Sequence, residues 1–230
     1  MSEIGTRKAP ARDWRSRLAG SGPPGVLAFI VIFLGTITLS PLVGCVLVLV
    51  WARLARVPFS ELGFVRPRSW ITVLALGVVL GVGLKLLMKA LVLPLLGAEA
   101  VNRHFHFVQG HPRAALGMAA YAFVAAFTEE TFFRGYLFER IGAWLGKNAA
   151  GAAVALVVSS ALFGLLHFQQ GKLGIMNATI VGVATGAIYL ANRRRLFLLM
   201  VLHATFDIVS MAIIYFGLEG SVARSLFPGM

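Results

Sequence analysis

The sequence is poor in charge and almost without cysteine. Only 13% of its 230 residues are charged, and Asp and Glu together number 9, whereas 58% are hydrophobic. Soluble domains are roughly a quarter charged and about half apolar. A chain of this length has too little interior to hide so much apolar side chain, which leaves lipid as its surroundings. The single cysteine, Cys45, excludes an intramolecular disulfide and a Cys-built metal cage. It lies in an apolar run and reads as a small packing residue. Also missing are a HExxH zinc helix, a nucleophile-elbow serine and a cysteine near a histidine. No internal repeat or low-complexity tract divides the chain, so residues 25–217 are expected to form one transmembrane helical domain. A basic flexible tail (1–24) and a C-terminal tail (218–230) are expected to flank it.

What is present is a series of long apolar runs. Spanning a bilayer takes about 20 predominantly apolar residues. Six segments qualify or nearly do: Gly25–Ala52, Ser69–Ala98, Ala114–Leu137, Ala150–Phe168, Leu173–Ala191 and Leu196–Gly217. Only helices satisfy their own backbone in lipid, and the runs are too long and uniform for barrel strands. The expected fold is all-α: a polytopic transmembrane helical bundle of about six to eight spans around a buried polar cavity. The run after the basic tail exceeds a signal-peptide core, so it is expected to stay in the membrane. The chain is expected to be an integral membrane protein, of the plasma membrane if its source is bacterial.

The net charge of +12 does not point to nucleic acid, because Lys and Arg lie mostly between the apolar runs. That placement suits anionic lipid headgroups and topology control. Residues 53–68, with Arg53, Arg56, Arg66 and Arg68, read as an interfacial segment. Counting Gly25–Ala52 as one span places nine basic residues on each side, so charge does not orient the chain. A fold-back at Ser40-Pro41 would move the tail to the other side and break the tie.

Ionisable groups inside a span are costly and mark function by default. Outside Ser69–Ala98 they fall on three segments. The first carries Glu129, Glu130 and Arg134. Glu130 and Arg134 share a helix face and can pair, while Glu129 lies about 100° around the helix and addresses another neighbour. The second carries Phe163 and His167, and the third His203 and Asp207, each pair one turn apart. Each group alone has a plain structural reading: an interfacial ion pair, a helix-end histidine, a local hydrogen bond. Together they could gather Glu129, His167, His203 and Asp207 around one water. With no Ser or Cys nucleophile, water is the remaining one. A carboxylate in an apolar cavity suits general-base work, and a neighbouring imidazole can relay the proton. A second imidazole with a polar partner can steady an oxyanion. No cofactor is expected. Zinc held by Glu129, His167 and His203 is the alternative, since two His and a carboxylate suffice for it. Lys85 and Lys89, one turn apart, read as snorkelling or bundle-facing residues, with contact to an anionic substrate end as a second role.

The ordered set Glu129-Glu130-x-x-x-Arg134, Phe163-x-x-x-His167 and His203-x-x-x-Asp207 resembles the pattern of the CPBP family, the CAAX proteases and bacteriocin-processing enzymes. Leu62–Trp70 is similar to the family's lead-in to its second helix. The resemblance implies an intramembrane endopeptidase acting on a membrane-associated protein or peptide. Its substrates would be CAAX-type proteins, bacteriocin-like peptides or proteins with C-terminal sorting tails. By similarity, Glu129 and His167 would activate water, His203 and Asp207 would steady the oxyanion, and Glu130 with Arg134 would be an ordering pair. Phe163 would pack the motif. The prenyl-protein enzymes typically have Asn where this chain has Asp207, and an ionised Asp cannot donate to an oxyanion. Two other classes fit the residues: a proton- or cation-coupled transporter and a non-catalytic membrane scaffold.

Overall fold

The computed structural model describes residues 13–97 and 101–225. Among them there are helices and connections but no strand. The fold is an all-α bundle of the membrane type. Three helices are long and apolar enough to cross a membrane: Trp70–Leu95, Phe168–Ala191 and Leu196–Tyr215. Pro23–Leu39, Pro41–Leu54 and Ala149–Leu165 are apolar but shorter. The helix Pro112–Glu130 has the length, but it ends on two carboxylates.

The expected first span, Gly25–Ala52, is not one crossing. Helix α1 (Trp14–Ala19) is followed by α2 (Pro23–Leu34), a π-helical turn (Gly35–Leu39) and α3 (Pro41–Leu54). Ser40 breaks the run. Its backbone is extended, its side chain accepts the Val43 N–H at 3.2 Å, and Pro41 follows at the first helical position, where its missing N–H does no harm. The chain then doubles back. A Cβ added to Gly44 would fall inside Thr36, so the two arms touch backbone to backbone near the tip. At the open end the Trp51 indole donates to the Leu18 carbonyl at 3.1 Å. Each arm is too short to cross unaided, and packing against the rest of the bundle sets its depth.

The segment expected to be a loose tail is therefore partly built in. Arg140 donates to the carbonyls of Ala19 and Gly20 at 2.6 and 2.9 Å, fastening the end of α1. Arg7, Lys8 and Arg12 lie outside the described residues. The other end behaves alike: in α11 (Glu219–Ala223) Glu219 is buried against Lys89, so the C-terminal segment also joins the fold.

After the 55–69 connection come α4 (Trp70–Leu87), a π turn (Met88–Val92) and α5 (Leu93–Leu95), then a 3-10 turn at Arg103–Val108. The helix α6 (Pro112–Glu130) runs through a π-helical stretch (Thr131–Tyr136) into α7 (Leu137–Leu145). Next are α8 (Ala149–Leu165), α9 (Gly171–Ala191) and α10 (Leu196–Tyr215). Gly77 and Gly81, four apart on α4, let it lie directly on Val201, Leu202 and Thr205 of α10. Small residues at this spacing are how membrane helices approach closely. The contact fixes the second halves of α4 and α10 side by side, where Lys85 and Asp207 lie.

Contacts between connections define two faces. One gathers Ala19–Gly20 with Arg140, Glu61 with Lys147, and Gly63 with Arg194 and Leu196. The other gathers Asn102 with Glu219 and Gly110 with Tyr215. The fold-back places the described start of the chain on the first face.

Candidate active site

The helix α6 carries Glu129 and Glu130 at its end, and the backbone widens into π-helix immediately after them. Such π turns inside α-helices recur at functional sites. Arg134 sits in the widened turn and still reaches back to Glu130, Nη1 to Oε1 at 3.0 Å, with both side chains almost wholly buried. The rest of the guanidinium is bound across the bundle. Nη2 donates to the Gly182 carbonyl at 3.3 Å and to the Thr185 hydroxyl, both on α9. The Phe163 ring of α8 lies 4.7 Å from the guanidinium carbon.

Glu130 has a second partner that local spacing could not show. Its Oε1 also lies 2.8 Å from Nδ1 of His203 on α10. One carboxylate oxygen thus joins Arg134 to His203. Its other oxygen, Oε2, is buried with no partner among the described residues. The far nitrogen of His203, Nε2, faces two more carboxylates: Asp207 Oδ2 at 3.5 Å and Glu129 Oε2 at 3.8 Å. Both ring nitrogens can donate only in the imidazolium form. Nδ1 is engaged by Glu130, while Nε2 lies between groups too far for a close hydrogen bond, so in the imidazolium form its N–H is open to a ligand.

His167 lies just past α8 and lines the same cavity. Its Nδ1 is 2.7 Å from the Phe163 carbonyl. A carbonyl only accepts, so Nδ1 carries the proton, and in the neutral ring Nε2 presents a lone pair. Phe163 is the packing centre. Its ring centroid is 4.7 Å from that of His167, 6.0 Å from that of His203 and 5.0 Å from that of Phe133. Behind it the Ser159 hydroxyl donates to the Phe133 carbonyl at 2.9 Å, locking α8 to the π stretch.

These groups border a cavity of about 430 Å³, within the range of ligand pockets. Glu129, His167, His203 and Asp207 all line it, with Tyr121 of α6, Lys85 of α4 and the hairpin tip at Thr36 and Pro41. Glu130 and Arg134 do not; they stand behind His203. The expected residues therefore divide into four that face the cavity and three (Glu130, Arg134 and Phe163) that hold them, although Phe163 also touches the cavity wall. Among the described residues no three His, Cys, Asp or Glu side chains are arranged to hold a metal ion.

Residues 111–209 match a family model, that of the Rce1-like type II CAAX prenyl endopeptidases. That segment, under half of the chain, is similar to the CPBP, CAAX-protease type. It runs from the start of α6 almost to the end of α10 and holds every cavity-facing group named above except Lys85 and the hairpin tip. No curated protein and no solved structure matches the chain. The family segment supplies the Glu129 and His203 walls. The hairpin and α4, which lie outside it, close the cavity from the other side.

No local pattern of residues marks three of these contacts. Thr185 completes the Arg134 shell from a helix with no motif, Glu130 reaches His203 across 73 positions, and Thr36 enters the wall only because the chain folds back.

Proposed function

We propose that this protein is an intramembrane endopeptidase that hydrolyses a peptide bond of a membrane-associated protein or peptide, with water as nucleophile and no metal. The observation that carries the reading is the convergence of Glu129, His167, His203 and Asp207 from three helices on one cavity. Glu129 takes a proton from water, with His167 Nε2 as the second acceptor facing the same space. The water oxygen attacks the scissile carbonyl. The oxyanion receives the free Nε2–H of His203, which Glu130 holds in place from behind. Collapse breaks the C–N bond, and the proton held by Glu129 passes to the departing amine. Asp207, an acceptor when ionised, serves His203 rather than the oxyanion.

The test uses proteoliposomes and a pool of lipid-anchored peptides, read by mass spectrometry. Glu129→Gln lowers cleavage by about 10²–10⁴-fold, the usual size of a lost general base, while insertion and thermal stability stay near those of the unaltered chain. Undiminished cleavage by Glu129→Gln would reject the assignment. Loss of activity on chelation, restored by zinc, would reject the metal-free route. An uncut pool with pH-dependent ion flux would favour the transporter.

The fold-back also supports one orientation of the chain. The first face and its neighbouring helix ends carry Arg15, Arg17, Arg53, Arg56, Arg66, Arg68, Arg140, Lys147, Arg193, Arg194 and Arg195, against Arg103, Arg113, Lys172 and Arg224 on the other. By the positive-inside rule the first face is cytoplasmic. The cavity is lined at its mouth by His104, Gln169 and Gln170, so it opens on the opposite side. In a Cys45→Ala background, a cysteine replacing Gln169 should react with a membrane-impermeant maleimide in intact cells, and one replacing Lys147 should not. The reverse pattern would invert the orientation.

A further inference from the structure

The cavity adjoins, past the Glu129–His203 group, a second lobe of about 260 Å³, bordered by Lys85, Lys89, Arg103, His104, Asn177 and Glu219. Lys85, Asn102, His104, Gln170, Asn177 and Ser210 line both lobes, so the two adjoin. The first lobe carries the carboxylates of Glu129 and Asp207 among histidines, and the second is mainly cationic.

The two lysines of α4 and its π turn are not equivalent. Lys89 Nζ is 3.2 Å from Glu219 Oε1, which also accepts the Asn102 N–H at 2.9 Å. That pair closes the end of the bundle. Lys85, one turn earlier, is only 8% exposed, yet no carboxylate of the described residues lies within ion-pair distance of its ammonium. Its Nζ lies 4.7 Å from the centre of the Phe206 ring, a cation–π contact that leaves the N–H donors unspent. Asp207, which lines the same cavity, turns its Oδ2 to His203. Snorkelling does not describe Lys85, because its head is buried on a cavity wall rather than drawn to the surface. A second orphan sits opposite in chemistry: Asn177 Oδ1 is buried without a partner among the described residues.

We propose that Lys85 anchors a carboxylate of the substrate, on the segment that leaves after hydrolysis, and so sets which peptides are cut. The inference rests on the endopeptidase reading. A buried ammonium with no carboxylate in direct contact is costly to keep, and a carboxylate entering the second lobe relieves that cost with charge-assisted hydrogen bonds. Asn177 accepts a peptide N–H beside it. The Gly77–Gly81 contact with α10 holds Lys85 next to the Glu129–His203 lobe, so the anchor and the scissile bond lie on one short segment. The carboxylate is either a free chain end or an Asp or Glu side chain.

The experiment compares three pools of N-acetylated tetrapeptides: one ending in a free acid, one in a carboxamide, and one in a carboxamide preceded by Glu. Binding is read as thermal stabilisation of the purified full-length protein, and cleavage is read in proteoliposomes. The unaltered chain should bind an acid-bearing pool about 10–100-fold more tightly than the neutral amide, the range for a charged hydrogen bond. The better of the two acid pools identifies the source. Lys85→Met should erase that preference, Lys85→Arg should keep it, and Glu129→Gln should keep it while cutting nothing. Equal binding of acid and amide by the unaltered chain, which needs no variant to fold, would overturn the proposal. So would a preference that survives Lys85→Met. A Lys85-dependent acid preference without any cleavage would overturn the endopeptidase reading alone.

Discussion

Arg134 and Arg140 stand fewer than two turns apart on one continuous stretch of helix, and both are essentially buried. Their surroundings make them different kinds of residue. Arg134 faces inward along the bundle and ties Glu130, Thr185 and the Gly182 carbonyl together beside the cavity. Arg140 faces the first face of the molecule. Its guanidinium carbon lies 5.2 Å from the Trp51 ring and 5.1 Å from the Trp144 ring, and its N–H groups reach the carbonyls of Ala19 and Gly20. One guanidinium meets a carboxylate that also holds a histidine. The other donates its hydrogen bonds to neutral carbonyls at the end of a short helix, with the Glu139 carboxylate farther off at 3.6 Å. A buried charge can thus organise chemistry or fasten chain, and its acceptors decide which.

Replacing Arg134 should do the greater damage to cleavage. In Arg134→Leu, Glu130 keeps only His203, and breaking one side of a buried ion pair costs about 3–5 kcal/mol. For a chain of this size that is on the order of 10 °C in melting temperature. Because Glu130 also positions His203, peptide cleavage should fall together with stability. A variant that melts lower yet cleaves at full rate would show that Arg134 fastens chain as Arg140 does, and the contrast would fail.

Arg134 was legible in the sequence because its partner is four residues away, a spacing that any helix converts into contact. The ionisable residues could be sorted onto three helices for the same reason. Arg140 was not legible: its acceptors are main-chain carbonyls 120 and 121 positions earlier, and a carbonyl leaves no mark on composition. The hairpin was half legible. Ser40-Pro41 announces a break through capping and the proline ring. Whether the break is a kink or a reversal depends on Gly44 fitting against Thr36, a tertiary fact that the apolar run 25–52 does not encode by hydropathy. Likewise the spacing assigned Glu130 to Arg134 and could not show that the same oxygen also holds His203 from another helix.

Arg140→Leu should separate the two roles. It removes two hydrogen bonds from a charged donor, each worth about 1.5–3 kcal/mol when buried, and leaves Glu139 without its neighbour at 3.6 Å. The loss is local to α1 and the open end of the hairpin, so residues 14–19 should exchange their amide hydrogens much faster, while Glu129-dependent cleavage persists. Cleavage falling as far as in Arg134→Leu would mean that α1 supports the cavity wall through the hairpin tip.

The smallest change sharpens that last point. Trp51→Phe keeps an aromatic ring beside Arg140 and Tyr136, whose ring centroid lies 5.0 Å from that of Trp51, but deletes the indole N–H donated to Leu18. One neutral hydrogen bond contributes about 1 kcal/mol, so the melting temperature should move by only a few degrees. The exchange rate of the α1 amides reports where that loss falls. If they quicken while the Thr36 end of the hairpin keeps its protection, the open end frays independently of the tip, and the basic face and the cavity wall are mechanically separate. If both ends loosen together, the hairpin moves as one lever, and a contact at the membrane face reaches the Glu129 cavity through it.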